Sequence, residues 1–412
     1  MHLRRLSISL LFAGLAGACA SEPEALDDGE AAISALSNPL SGPKVYLVEL
    51  ANGVDIDSTL DDLSVAHGAA ATHRYHHALR GGALLVPNDA ARAAIAADPR
   101  VARVEPDQEV SASGKTTTTP PPQKTPTGYR LIGADVTANE GAGTRVAVLD
   151  TGIDLTHSDL AANIDKTIGR DCVNESGPAM GDLNGHGTHV AGTIAALDNI
   201  VGSVGVGTQI KVVPVKVLNR RGSGTWSTII CGIDHVTANV ASIQVANMSL
   251  GGAGSECVDG GGCTKSLLQL AIERSVAAGI TYAVAAGNEG ANAAGSVPAA
   301  YDAVITVSAY SDADGVLGGG GWPTFTNYGA DVDIAAPGVS IFSTWKGNTY
   351  NTISGTSMAS PHVAAAAALY LATQPGMTPA AVRDALVLAA TTTYPGSTDA
   401  KHAEPLLNVR SF

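Results

Sequence analysis

From Arg145 onward the chain repeats one pattern: a short, almost wholly apolar run followed by a longer amphipathic or Ala-rich stretch. The apolar runs are Arg145 to Leu149, Ile210 to Val217, Val245 to Ser249, Ile280 to Ala285 and Val304 to Val307. They are strand-length and lack the alternation of a sheet with one wet face. Thr188 to Leu197, Trp226 to Val240 and Lys265 to Ala278 lie between them with helical patterns. Buried strands alternating with helices predict an α/β fold, a parallel sheet flanked by helices. In such sheets functional groups gather beyond the carboxyl ends of the strands.

A smaller unit precedes this region. Lys44 to Leu50 reads as a strand, and Asp57 to His67 sets Leu60, Leu63 and Ala66 at helical spacing. Ala78 to Val86 is strand-like, Asn88-Asp89 caps an Ala-rich helix to Ala97, and Val101 to Val104 makes a last strand. With room for another strand around Thr72 to Tyr75, residues 44–110 predict a small α/β sandwich. Residues 19–43 lack periodicity and read as a flexible spacer. Residues 111–127 are rich in Thr and Pro, an exposed linker suited to proteolytic nicking. Residues 128–412 form the larger domain.

The first 18 residues carry two arginines and then an apolar run, Leu6 to Ala18, too short to span a bilayer. That is an export signal, so a secreted, extracellular protein is expected. Two processing routes remain open. A peptidase could cut after Ala18, or Ala16-Gly17-Ala18-Cys19, which resembles a bacterial lipobox, could be lipidated at Cys19 and anchor the precursor transiently. The formal net charge of -14 excludes a nucleic-acid partner, since nothing would neutralise phosphates. Four cysteines remain besides Cys19, and in an oxidising compartment they read as two disulfides with three possible connectivities. Cys257 and Cys263 enclose a short Gly-rich loop, which leaves Cys172 with Cys231. Free buried thiols are the alternative.

Three segments place a reactive side chain at a strand end or helix start among glycines. Val146-Ala147-Val148-Leu149-Asp150-Thr151-Gly152 ends a strand in a carboxylate. His186-Gly187-Thr188-His189 opens a helix with an imidazole, and Gly355-Thr356-Ser357-Met358-Ala359 opens another with a hydroxyl. Nucleophilic acyl transfer needs these three types: an imidazole to take the hydroxyl proton, and a carboxylate to set that imidazole's tautomer. His186 and His189 lie three apart, but the Glu of a His-Glu-x-x-His zinc site is absent.

In this order the segments resemble the signature motifs of the subtilisin-like serine peptidases. Asn247-Met248-Ser249-Leu250-Gly251-Gly252 and Asp333-Ile334-Ala335-Ala336-Pro337-Gly338 are similar to the proteinase K-like branch. The resemblance covers Gly128 to Phe412 and implies a serine endopeptidase acting on proteins or peptides. It implies Asp150, His186 and Ser357 as the catalytic triad and Asn288 as the side-chain oxyanion donor. Ser249, Leu250 and Gly251 would form one wall of the primary specificity pocket, with Ala285 and Gly287 in the other. Their small size implies a preference for hydrophobic side chains before the scissile bond. A structural Ca²⁺ is implied at Asp333, with the carbonyls of Asp302 and Val304, and no redox or nucleotide cofactor. Residues 44–110 resemble the family's propeptide, an intramolecular inhibitor, with self-cleavage near Ser113-Gly114. No feature demands an oligomer, so a monomer is expected. The alternatives are an inactive binding protein on the same fold, or an esterase or peptide ligase on the same scaffold.

Overall fold

Alternation decides how the N-terminal unit is layered. In this computed structural model, which describes residues 43–111, 121–175, 177, 179–259, 262–312 and 314–412, the unit begins with β1 (Lys44–Leu50) and α1 (Ile56–His67). It continues through β2 (Ala70–Tyr75), β3 (Gly81–Val86), α2 (Asp89–Ala96) and β4 (Val101–Pro106). The export segment, Cys19 and the expected cut at Ser113-Gly114 lie outside the described residues. The antiparallel sheet runs β2-β3-β1-β4. Asp55 caps α1 by accepting from the Ser58 N–H at 2.9 Å, and Asn88 caps α2 from Ala91 at 2.9 Å. The strand-like run from Ala78 starts as a strand only at Gly81. Tyr46, Val48 and Leu50 of β1 pack with Leu60, Leu63 and Ile95 under the two helices. Leu47, on the opposite face, joins the core of the larger domain.

The chain then forms β5 (Glu109–Ser111), α3 (Thr127–Leu131), β6 (Arg145–Asp150), β7 (Arg170–Asp171), α4 (His186–Ala195) and β8 (Lys211–Lys216). Next come β9 (Ser223–Thr225), α5 (Trp226–Ala238), β10 (Val245–Met248), β11 (Gly252–Ala253), α6 (Leu267–Ala278) and β12 (Thr281–Ala285). The last elements are β13 (Ser296–Val297), β14 (Ile305–Tyr310), β15 (Ile334–Pro337), the β16 (Ile341–Trp345) and β17 (Thr349–Ile353) hairpin, α7 (Thr356–Thr373) and α8 (Pro379–Ala389).

The expected parallel sheet has seven strands in the order β15-β14-β12-β10-β6-β8-β7, every pair parallel. Its pleat sorts the core. Val146 and Val148 of β6 face Val190 and Ile194 of α4 and the apolar length of α7. Ala147 and Leu149 face Ile229 and Ile233 of α5 and Leu268 and Ile272 of α6. Ala364 to Ala368 of α7 have no exposed surface, so the helix is apolar all round because it is enclosed all round. β6 and β10 are neighbours although β8 lies between them in sequence, so the loops leaving their carboxyl ends diverge and open a crevice. Both expected disulfides form: Cys172–Cys231 ties the end of β7 to α5, and Cys257–Cys263 closes its short loop.

Close packing of α4 against β16 rests on Gly192. A Cβ there would lie 2.1 Å from Thr344 Oγ1 and 2.5 Å from Ser343 Oγ. Neither hydroxyl can swing aside without loss, because each donates to a carbonyl of α4, Thr188 O at 2.7 Å and His189 O at 2.9 Å. Gly192→Ala is therefore expected to destabilise the protein by about 1–3 kcal/mol. A lower guanidinium midpoint at unchanged slope is the reading that checks it.

Candidate active site

The pleat that turns Val146 and Val148 toward α4 turns Asp150 there as well. Its carboxylate is fully buried, and His186, the first residue of α4, is 1% exposed. Gly187 permits the approach: a Cβ there would stand 2.1 Å from the Gly152 carbonyl and 3.1 Å from the Asp150 side chain. His186 Nδ1 sits 2.8 and 2.9 Å from the two Asp150 oxygens, so Nδ1 carries the proton and donates. Burial pushes the imidazole's pKa down. The charge of Asp150, its hydrogen bond and the nearby Asp182 outweigh that, and the net shift is upward.

Two further residues brace this pair, and both were missed in the sequence. Asp182 accepts from the N–H groups of Asn184, Gly185 and Thr188 and from the hydroxyls of Thr151 and Thr188, all at 2.6 to 2.9 Å. It thereby ties the turn after β6 to the start of α4. Lys216, 1% exposed, donates from Nζ to Thr151 O at 2.6 Å and Leu218 O at 3.1 Å. An Asp four residues before a helix start lies outside the N-cap position, which Gly185 occupies, so its role carries no capping signal. A lysine in an apolar strand carries none either.

Ser357 lies in the first turn of α7, 5% exposed. The polar residues of β10 hold that turn: Asn247 Nδ2 donates to Ser249 Oγ, Ser249 Oγ to Ser357 O at 2.7 Å, and Ser360 Oγ to Asn247 Oδ1 at 2.8 Å. The serine–histidine hydrogen bond of a completed triad is not made. Ser357 Oγ donates instead to Ser249 O at 3.3 Å, and His186 Nε2 is buried with no partner among the described residues. Such bonds are often long or misaligned before substrate arrives.

Asn288 follows β12. Its Oδ1 accepts from the Thr356 N–H at 2.8 Å and the Thr356 hydroxyl at 3.1 Å. Only an oxygen can accept both, so Nδ2 is the end left for a ligand. Ser249, Leu250 and Gly251 extend β10, while Ala285 and Gly287 end the parallel neighbour β12, so the two expected pocket walls leave adjacent strands. His189 is a packing residue: it pairs with Ile341 O at 2.9 Å, and burial lowers its pKa to about 3.

The calcium expectation meets a different arrangement. Oxygen donors suit Ca²⁺, but Arg383 Nη1 donates to Asp302 O at 2.7 Å and lies 3.9 Å from Asp333 Oδ1. Asp333 Oδ2 accepts from the Thr306 N–H at 2.8 Å. Burial raises the Asp333 carboxyl to about 6, although Arg383 opposes the rise. A guanidinium already meets two of the three expected ligands, so Asp302, Val304 and Asp333 do not fit a divalent cation as placed. Among the described residues no group of three or more His, Cys, Asp or Glu could hold a metal.

Comparison with known proteins agrees with this geometry. The subtilase family model matches residues 141–405. An extracellular serine proteinase of Thermus sp. (strain Rt41A) is 38% identical over 402 residues, covering 91% of each chain. Subtilisin DY of Bacillus licheniformis is 41% identical over 275 residues, 65% of this chain and 92% of its own. A cold adapted subtilisin-like serine proteinase of known crystal structure superposes with a TM-score of 0.58 at 36% identity, covering 66% of this chain and 91% of its own. With a buried carboxylate–imidazole pair and a serine opening α7 at the ends of a parallel sheet, the chain belongs to the subtilase family and is a serine endopeptidase.

Proposed function

We propose that Asp150, His186 and Ser357 are the catalytic triad of a secreted endopeptidase that matures by cutting itself. One observation carries the reading: His186 is bonded to a buried carboxylate through Nδ1, while Nε2 is buried with no partner among the described residues. In that state the imidazole is a base aimed away from its orienter. When Ser357 Oγ turns from Ser249 O to His186 Nε2, its proton passes to the imidazole as the Oγ–carbon bond forms. The carbonyl oxygen then carries the negative charge, received by Asn288 Nδ2 and the Ser357 N–H at the positive end of α7. His186 returns the proton to the leaving amine, and water repeats the sequence to free the acyl group. Small residues in both walls of the pocket support a preference for hydrophobic side chains before the scissile bond.

Residues 44–110 act as the inhibitor in this reading, and their contacts support it. Asp234 of α5 accepts from three successive N–H groups, His76 at 3.2 Å, His77 at 2.6 Å and Ala78 at 2.7 Å. In return Asp107 accepts from the Ser227 N–H at 2.9 Å and Glu105 from the Leu267 N–H at 3.1 Å, placing a carboxylate on the N-terminus of α5 and of α6. Beyond them β5 pairs antiparallel with β9, and Val110 is buried in one cluster with Trp226 and Leu250. The chain leaving the unit thus runs along the cleft as a substrate strand would. The proposed cut near Ser113-Gly114 lies a few residues further on, outside the described residues, and extracellular action accords with the likeness to the extracellular serine proteinase of Thermus.

Ser357→Ala is expected to leave the secreted chain at its uncut mass and to abolish casein hydrolysis; processing or hydrolysis that persists would place catalysis elsewhere. Only neutral His186 can accept a proton, and its pKa is raised. The acid limb of kcat/KM is therefore expected above the ordinary histidine value of about 6.5. Asp182→Asn removes one source of that rise, so the limb should move to lower pH in a full pH–rate profile.

A further inference from the structure

We propose that Asn327 is a positioning residue for the oxyanion donor Asn288, an inference that rests on the role given to Asn288 above. Asn327 belongs to no helix or strand, yet it is fully buried. All of its side-chain hydrogen bonds go to one stretch, residues 286–296. Its Oδ1 accepts from the N–H groups of Glu289 at 3.1 Å and Ala291 at 2.9 Å. Its Nδ2 donates to Ala286 O at 2.9 Å and Glu289 Oε2 at 2.8 Å, with Ser296 Oγ more distant at 3.3 Å. Its own N–H donates to Gly287 O at 3.1 Å. The backbone is therefore gripped at 286, 287, 289 and 291, on both sides of Asn288, while Asn288 itself is left untouched.

Regular structure has ended here. β12 stops at Ala285, and the loop must turn with Gly287 at φ 107° before Asn288 can face the cleft. The Ala286 N–H still donates to Val307 O of β14 at 3.0 Å, but the Ala286 carbonyl and the N–H groups of Glu289 and Ala291 need partners from outside the sheet. The primary amide of Asn327 supplies an acceptor and two donors from one rigid plane, standing in for a missing strand. A Cβ on Gly287 would lie 2.3 Å from Asn327 Nδ2, so the two are packed without slack. Thr356 sets the rotation of the Asn288 amide through its N–H and hydroxyl. Asn327 sets where the Asn288 backbone stands. An oxyanion donor stabilises the transition state only when its N–H already points at the place where charge develops. An error of about 1 Å in such placement can lower the rate about 10²-fold.

The test is a double-mutant cycle on the full chain, with hydrolysis of a peptide p-nitroanilide normalised to titrated active serine. Asn288→Ala is expected to lower kcat about 10²–10³-fold. Asn327→Ala should lower kcat about 10–100-fold, with KM changed less than about threefold, because the loss falls on the transition state. In the Asn288→Ala background, Asn327→Ala should lower kcat by no more than about threefold, because the group it positions is gone. Asn327→Asp keeps the acceptor for the Glu289 and Ala291 N–H groups but loses the donors to Ala286 O and Glu289 Oε2. It should show the same non-additive loss, and it takes the place of Asn327→Ala if that variant is not recovered folded. If Asn288→Ala lowers kcat as stated while the Asn327 effect is absent, or multiplies in full in the double variant, Asn327 only supports the fold and the proposal fails. If Asn288→Ala leaves kcat unchanged, the oxyanion reading falls first and takes this one with it.

Discussion

A carboxylate with no exposed surface at the end of a parallel strand is the constraint around which this structure is arranged. Asp150 would lose several kcal/mol of hydration if nothing replaced its water. His186 Nδ1 meets both oxygens, and the Thr151 N–H donates to Oδ1 at 2.7 Å. The Asp150 carbonyl is engaged as well, by Val217 and Leu218 at the end of β8. Behind this shell a buried cation and a buried anion hold one residue between them: Lys216 takes the Thr151 carbonyl, and Asp182 its hydroxyl. The imidazole is thus fixed for reasons of stability, and the catalysis proposed for it would use an orientation that folding already requires.

The N-terminal unit meets the larger domain by the same physics turned outward. α5 and α6 present their N-termini to one surface, where unpaired N–H groups and the helix dipoles favour negative charge. Asp107 and Glu105 supply it. The larger domain answers with Asp234, whose carboxylate gathers the N–H groups of His76, His77 and Ala78 in the turn before β3. Between these polar anchors lie Leu47, Tyr75, Ala78 and Leu79, buried in the core that Ile229 and Leu268 also line. Charge sets the register and apolar area supplies the adhesion.

Much of this was legible in the sequence because it rests on local periodicity. The five apolar runs became five strands of the parallel sheet, and the run through Leu149 already put Asp150 at the carboxyl end of its strand. The disulfides were legible for a different reason: the Cys257–Cys263 loop is short, and two cysteines then remained. What could not be read depends on tertiary placement. The β5–β9 pairing joins two three-residue segments that carry no strand signal alone. β7 is two residues long and exists only because β8 offers it an edge. Asn327 looks like an ordinary turn residue, and its burial follows from a loop in a distant part of the chain. Arg383 sits on an amphipathic helix where a solvated charge is the natural expectation. Its reach to Asp302 depends on α8 packing against α7 and β12.

The position of Ser357 Oγ connects the cleft to the unit that leads into it. The hydroxyl rests on the carbonyl of Ser249, at the end of the strand that would pair with a substrate backbone. At 3.3 Å this is a long, weak bond, so little opposes its exchange for one to His186 Nε2. Among the described residues that nitrogen has no hydrogen-bond partner. In the mechanism proposed above, the imidazole and the loosely held hydroxyl are the two halves of one bond. On the function proposed above, a strand that arrives beside Ser249, as β5 approaches along β9, would bring its carbonyl to this hydroxyl, so the inhibitor of that proposal would also be the first substrate.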